Sequence, residues 1–165
     1  METVAQFNQK ITLDPKEYNK LGGNVKLESL ILNKAKEAFE GKCIQSGFII
    51  PNTLKIISRS AGYFESGRYI SYPSFYTKFE ASVVYPVNNT RVIGKVVRKN
   101  KMGLYVTYKD ALRIQVARDI HIGNEEFENV EIGDDVEVEL KKSRFQVNDP
   151  FILSCASFIT NKTVR

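Results

Sequence analysis

The stretch that decides the reading of the chain is Val92-Ile93-Gly94-Lys95-Val96-Val97, then Lys99-Asn100-Lys101-Met102-Gly103, then Leu104-Tyr105-Val106-Thr107-Tyr108. Two runs rich in β-branched and aromatic residues flank a polar segment closed by glycine, the pattern of two strands joined by a turn. Further on, Leu112 to Val116 reads as a third strand. Asp119 to Phe127 reads as a connector, and Val136 to Leu140 and Phe151 to Ala156 as two more strands.

Five short strands in about 70 residues, with one longer connection after the third, have the rhythm of a five-stranded OB-fold barrel. Working back from Val92, Pro86-Val87-Asn88-Asn89 is a natural boundary, and before it the pattern is mixed. Ile11-Thr12-Leu13 reads as a short first strand. Asp14, Pro15 and Glu17 fit the cap, first position and capping box of a helical turn, which Gly22-Gly23 should end. Asn24 is a suitable N-cap for a long helix reaching Glu40: Leu27, Leu30, Ile31, Ala35, Ala38 and Phe39 share one face, and Gly41 suits the left-handed stop. Lys42 to Gln45, Phe48 to Ile50 and Leu54 to Ser58 are short apolar runs. Ser58 to Gly67 has loop composition, and Phe79, Ala81 and Val83 alternate along Phe75 to Tyr85. The expected fold class is α+β. A small α/β domain over residues 1–86 precedes an OB-fold domain over residues 87–165.

Composition narrows the function. The 165 residues carry a net charge of +5, with eight Tyr, ten Phe and no Trp. No run approaches the ~20 apolar residues of a membrane span, and residues 1–10 lack a secretory apolar core. A reducing, intracellular setting follows, in which Cys43 and Cys155 are expected as buried thiols rather than a disulfide. One His and two Cys leave no four-ligand zinc site of the usual kind. Phosphate loops of the Gly-Lys-Ser/Thr type and nucleophile elbows are missing from the sequence. His121, between Ile120 and Ile122, reads as a packed ring, and Asp134-Asp135 as the turn before a strand. The chain is therefore read as non-catalytic, with no cofactor and no metal.

Charge is segregated along the second half. From Arg91 to Arg118 there are eight basic residues and one acid, Asp110; from Asp119 to Glu139 there are nine acids and no Lys or Arg. A basic face attracts phosphate and releases counterions, while an acidic flank keeps a polyanion off the opposite surface. Tyr105 and Tyr108 lie within the basic run and offer rings on which bases can stack. The candidate RNA-binding residues are thus Lys95, Arg98, Lys99, Lys101, Tyr105, Tyr108 and Arg113.

Val92 to Val97, Met102-Gly103-Leu104-Tyr105-Val106 and Val130-Glu131-Ile132-Gly133-Asp134-Asp135-Val136-Glu137-Val138 together resemble the S1 RNA-binding motif. Tyr105 stands where that motif places an aromatic on the RNA face. Gln115 stands where the motif often has a His ring. Residues 7 to 158, the first half above all, are similar to the stalk subunit of multisubunit RNA polymerases, the seventh-largest subunit of polymerase II and its archaeal counterpart. The similarity rests on Ile11-Thr12-Leu13 with Pro15, Phe39-Glu40-Gly41-Lys42-Cys43, Gly47-Phe48-Ile49, and Phe79, Ala81, Val83 and Pro86, in that order. It implies a truncated RNP-like tip domain that docks on core polymerase subunits, a barrel near single-stranded nascent RNA, and a small helical partner subunit forming a heterodimeric stalk. It also implies a nuclear location in a eukaryote, or a cytoplasmic or viral-factory one otherwise. Within the Ser58 to Gly67 loop and just beyond, Arg59, Tyr63, Phe64 and Arg68 are the candidate docking residues. The short barrel and the tail from Thr160 to Arg165 depart from the family and suit a divergent or viral member. A free-standing single-stranded RNA-binding protein of translation or RNA decay would account for the barrel alone.

Overall fold

The structure is a computed structural model that describes residues 1–22, 25–64 and 72–163. It is an α+β protein with few helices and many strands, and it divides into two compact units. One unit is built from residues 2–40 and 49–83; the other holds Met1, residues 41–48 and residues 84–165.

In the first unit, strand β6 (Pro73–Val84) is central, with β1 (Glu2–Thr12) on one side. On its other side β4 (Lys55–Arg59) pairs Ile56 with Phe79, and β5 (Tyr63–Phe64) pairs Tyr63 with Ser74. Odd-numbered Phe75, Thr77, Phe79, Ala81 and Val83 are buried along β6, as strand alternation requires. Helix α2 (Leu27–Phe39) supplies Ile31 and Ala35, both with no exposed surface, and Phe39 makes an edge contact with Phe7. Leu27 and Leu30 are half-buried, and Ala38 is exposed, so the buried stripe is narrower than its sequence pattern. Gly41 has φ of 69°, the left-handed stop expected of it. Asn24, the expected cap, lies outside the described residues, as does Gly23; the residue preceding the helix is Lys26, in extended conformation. The short helix α1 (Pro15–Tyr18) opens on a Glu17 carboxylate that accepts the Asp14 N–H at 2.8 Å.

Strand β1 corrects the sequence reading. It runs eleven residues rather than three. Ala5, Phe7 and Ile11 face inward between exposed Gln6, Asn8 and Lys10, but polar Gln9 interrupts the inner row, so the alternation is weak and the full length comes with pairing to β6, a tertiary condition.

The second unit contains a closed barrel of β7 (Arg91–Asn100), β8 (Gly103–Tyr108), β9 (Leu112–Ala117), β10 (Asp135–Arg144) and β11 (Ile152–Asn161). Around the barrel the order is β7-β8-β9-β11-β10 and back to β7, with β9 and β11 parallel. This is consistent with an OB-like fold. Val96, Leu104, Val106, Leu112, Ile114, Val136, Leu140 and Ile152 fill the interior, each at most 1% exposed. Gly103, at φ of 142°, lies against the Val116 carbonyl where no side chain fits. Gly94 is equally enclosed, since an added Cβ would lie 2.5 Å from Val106 Cγ1.

The connector after β9 forms a 3-10 turn (Asp119–His121) and helix α3 (Glu125–Glu128). His121 packs as a core ring there, stacked on Phe127 at 4.7 Å between centroids. Its Nε2 accepts the Phe158 N–H at 2.8 Å, so Nδ1 carries the proton and donates to the Ala117 carbonyl at 2.7 Å. Asp134 is buried, and its carboxylate accepts the Glu131 N–H at 2.9 Å, a turn-forming role.

The hairpin of β2 (Cys43–Ile44) and β3 (Gly47–Ile49) precedes the boundary expected at Pro86, yet residues 41–48 group with the barrel. The cause is backbone hydrogen bonding. Cys43 N–H donates to the Asp149 carbonyl at 2.9 Å, and Asn148 N–H to the Cys43 carbonyl at 2.8 Å. These bonds clamp the loop between β10 and β11.

Candidate nucleic-acid interface

Side chains alternate between the barrel core and its outer surface. On β8 the outward positions include Tyr105 and Thr107, on β9 Arg113 and Gln115, on β11 Leu153 and Cys155. Strand register joins them into two rows. In one, Arg98, Tyr105, Gln115, Cys155 and Lys142 follow one another across five strands. In the other, Lys95, Thr107, Arg113, Leu153 and Arg144 do so.

These rows, Lys95 excepted, line a groove of about 800 Å³. Four cationic side chains reach it, Arg98, Arg113, Lys142 and Arg144, against one acid, Asp110. Two rings stand in it. The Arg98 guanidinium lies 5.9 Å from the centroid of Tyr105, and that of Arg113 lies 3.7 Å from the centroid of Phe151. A concave, cation-lined surface with aromatic and guanidinium groups can hold a polyanion whose planar groups stack, which is the chemistry of an unpaired nucleic-acid strand.

Of the seven residues expected to bind RNA, the groove brings together Arg98, Tyr105 and Arg113. Lys95 is exposed at the end of the second row, outside the lining. Tyr108 is half-buried, with the Lys109 ammonium 5.7 Å from its ring, and neither lines the groove. Lys101 is exposed at the β7–β8 turn, outside the lining. Lys99 is engaged elsewhere. Its ammonium donates to the Glu128 carbonyl at 2.6 Å and to the Val130 carbonyl at 2.9 Å, tying β7 to the end of α3.

Sequence pattern does not single out Lys142, Arg144 and Phe151. They follow a register shift between Leu140 and Lys142 and a loop, so their facing depends on pairing between β10 and β11. Alternation past Val136, Val138 and Leu140 is the available signal for Lys142 and Arg144, and the bulge obscures it. Cys155 also departs from expectation. It is exposed and lines the groove, because Ile152, Ser154 and Ala156 are the inward residues of β11. Cys43 is buried as expected, and both thiols are free. Desolvation, with a smaller contribution from Asp149, pushes the Cys43 thiol up to about 11.

The acidic run faces its own partners. Glu128 pairs with Arg118 at 3.1 Å, and Glu126 accepts from Thr160 Oγ1 at 2.6 Å and Asn161 N–H at 2.8 Å. The Thr160 hydroxyl, then the Asn161 N–H, hold the Glu126 carboxyl below the ordinary glutamate range.

In the first unit, Arg59 is paired with Glu28 at 3.0 Å and sits 5.8 Å from the Phe75 ring. Tyr63 stacks on Tyr76 at 5.4 Å. Phe64 is 62% exposed, and Arg68 lies outside the described residues. Among the described residues no cluster of His, Cys, Asp and Glu could hold a metal ion. No helix among them is long and apolar enough to cross a membrane.

No family model and no curated protein sequence matches the chain.

Proposed function

We propose that the chain is a non-catalytic, single-stranded RNA-binding subunit of a DNA-directed RNA polymerase. It would form the stalk with a smaller helical partner and hold emerging transcript on its barrel. The RNA-binding part is carried by one observation: Arg98, Tyr105, Arg113, Lys142, Arg144 and Phe151 converge on one groove of the barrel's outer surface. Phosphate neutralisation and base stacking are both available there, with little means of reading sequence. The polymerase part rests on the resemblance of both halves to the stalk family and on the exposed Phe64.

The free-standing RNA-binding reading keeps a specific support. Arg59 and Tyr63, the candidate polymerase anchors, already have partners in Glu28, Phe75 and Tyr76. Affinity purification of the tagged chain from its native source separates the two. Recovery of large polymerase chains and a small helical subunit in stoichiometric amounts is expected; RNA without polymerase would favour the free-standing reading. In a salt titration on single-stranded RNA, Tyr105→Ala should weaken binding and leave the log–log slope unchanged. An Arg98/Lys142/Arg144 triple change to Ala should flatten it by about 0.7 for each phosphate no longer neutralised. Equal slopes for the triple variant and the parent would remove the groove from the phosphate path.

A further inference from the structure

The geometry points to a second base-stacking platform in the groove, made not by a ring alone but by the Arg113 guanidinium held over the Phe151 ring. This rests on the RNA-binding reading above and adds to it where and how a second nucleotide is held. At 3.7 Å from the ring centroid, the guanidinium carbon is at van der Waals contact with the Phe151 π-face. A planar cation pressed on a ring loses most of its rotational freedom and can offer its other face to a nucleobase, which stacks on guanidinium planes as it does on aromatic rings.

Both partners are positioned independently of any ligand. Arg113 projects from β9, fixed in register between Thr107 and Leu153. Phe151 ends the β10–β11 loop, whose backbone is clamped to Cys43 through Asp149 and Asn148 and closed on itself by Gln146 N–H donating to Asp149 Oδ2 at 2.7 Å. The platform is thus pre-formed, and ordering it costs an arriving strand little.

The register also sets its distance from the first platform. Tyr105 is paired with Gln115, and Arg113 is the next outward residue along β9, so Tyr105 and Arg113 are diagonal neighbours about 7–8 Å apart at the backbone. That is about twice the ~3.4 Å rise of a stacked strand. Two successive nucleotides bound here must unstack from each other, one base on Tyr105 and the next on Arg113. The ligand class that follows is an unpaired strand, with duplex excluded because its bases cannot separate to reach the two platforms.

The test uses the full chain and a fluorescein-labelled oligouridylate 12-mer, followed by anisotropy across a salt series. Arg113→Lys keeps the charge and removes the plane; Phe151→Leu keeps apolar bulk and removes the support. Each should weaken binding about five- to hundred-fold, the range of a lost base stack, at unchanged salt slope. The double variant should be no weaker than the worse single one, because plane and support act as one unit. Wild-type affinity for Arg113→Lys would overturn the platform and leave Arg113 as a charge near phosphate. Losses that multiply in the double variant would overturn it too, as would equal affinity for a hairpin duplex of the same length. Arg113 is exposed, so its lysine variant should fold even if Phe151→Leu does not, and wild-type affinity for it overturns the platform in either case. No binding by the parent chain would instead refute the RNA-binding reading itself.

Discussion

Lys99→Met separates a structural lysine from an RNA-binding one. The substitution keeps most of the aliphatic stem and deletes an ammonium that reaches the Glu128 carbonyl at 2.6 Å and the Val130 carbonyl at 2.9 Å. A hydrogen bond to a charged group contributes about 1.5–3 kcal/mol when well shielded. Lys99 is exposed and the Glu128 carbonyl can turn to water, so that bond contributes little net stability. The Val130 bond is part-buried, and orphaning its carbonyl costs about 1–2 kcal/mol. The expected result is a loss of about 1–2 kcal/mol in urea unfolding followed by near-ultraviolet tyrosine dichroism, at unchanged m-value. The salt slope for RNA should stay where it is, because this ammonium lies on carbonyls outside the groove. Unaltered stability together with a shallower salt slope would refute the assignment and return Lys99 to the phosphate path.

Gly103→Ala should unfold the barrel or cost it several kcal/mol, from strain at φ of 142° (about 1–3 kcal/mol) and overlap with the Val116 carbonyl; a parental urea midpoint would contradict this. Ellman's reagent should titrate one thiol promptly in the native chain, exposed Cys155, and reach buried Cys43 with its raised thiol only on unfolding. Maleimide on Cys155 should also block RNA binding, and equal rates for the two thiols would count against this arrangement. Glu126 has a depressed folded-state pKa, so its contribution to stability is present above its unfolded value and is lost as pH falls through the lower folded one. The Asn161 amide resonance should therefore titrate with a midpoint below the ordinary glutamate range, and Glu126→Gln should abolish that step; a midpoint at the ordinary value would refute the hydrogen-bonded carboxylate.

Much of the barrel was legible because its strands carry their own pattern. Leu112, Ile114 and Val116 alternate with Arg113 and Gln115 and are the buried residues of β9; on β7 the apolar run marks the strand but not its inner face, since Ile93 and Val97 are 53% exposed beside buried Val92 and Val96. Gly94 and Gly103 were visible as turn and strand glycines, and the reason for each is a close approach to Val106 or Val116 that only pairing creates. The helix ending at Gly41 was legible from its apolar face; His121 is packed as expected, but on Phe127 and Phe158, while the neighbours Ile120 and Ile122 that suggested it are exposed.

What tertiary structure alone decided concerns long-range pairing. β1 reaches eleven residues because β6 lies beside it: Ala5, Phe7 and Ile11 make only a broken inner row, with Gln9 polar, and pairing carries the strand through it. Residues 41–48 belong with the barrel because Cys43 shares two backbone hydrogen bonds with a loop about a hundred residues away, and backbone groups leave no mark on side-chain pattern. The groove divides along the same line. Sequence placed Arg98, Tyr105 and Arg113 on neighbouring strands, because β7, β8 and β9 are consecutive hairpins. Lys142, Arg144, Phe151 and Cys155 join them only through the parallel pairing of β9 with β11 and the bulge in β10. Those pairings close the barrel, and no local periodicity encodes closure: which lysine is free for phosphate and which ties β7 to α3 is decided by where the closed barrel puts each one.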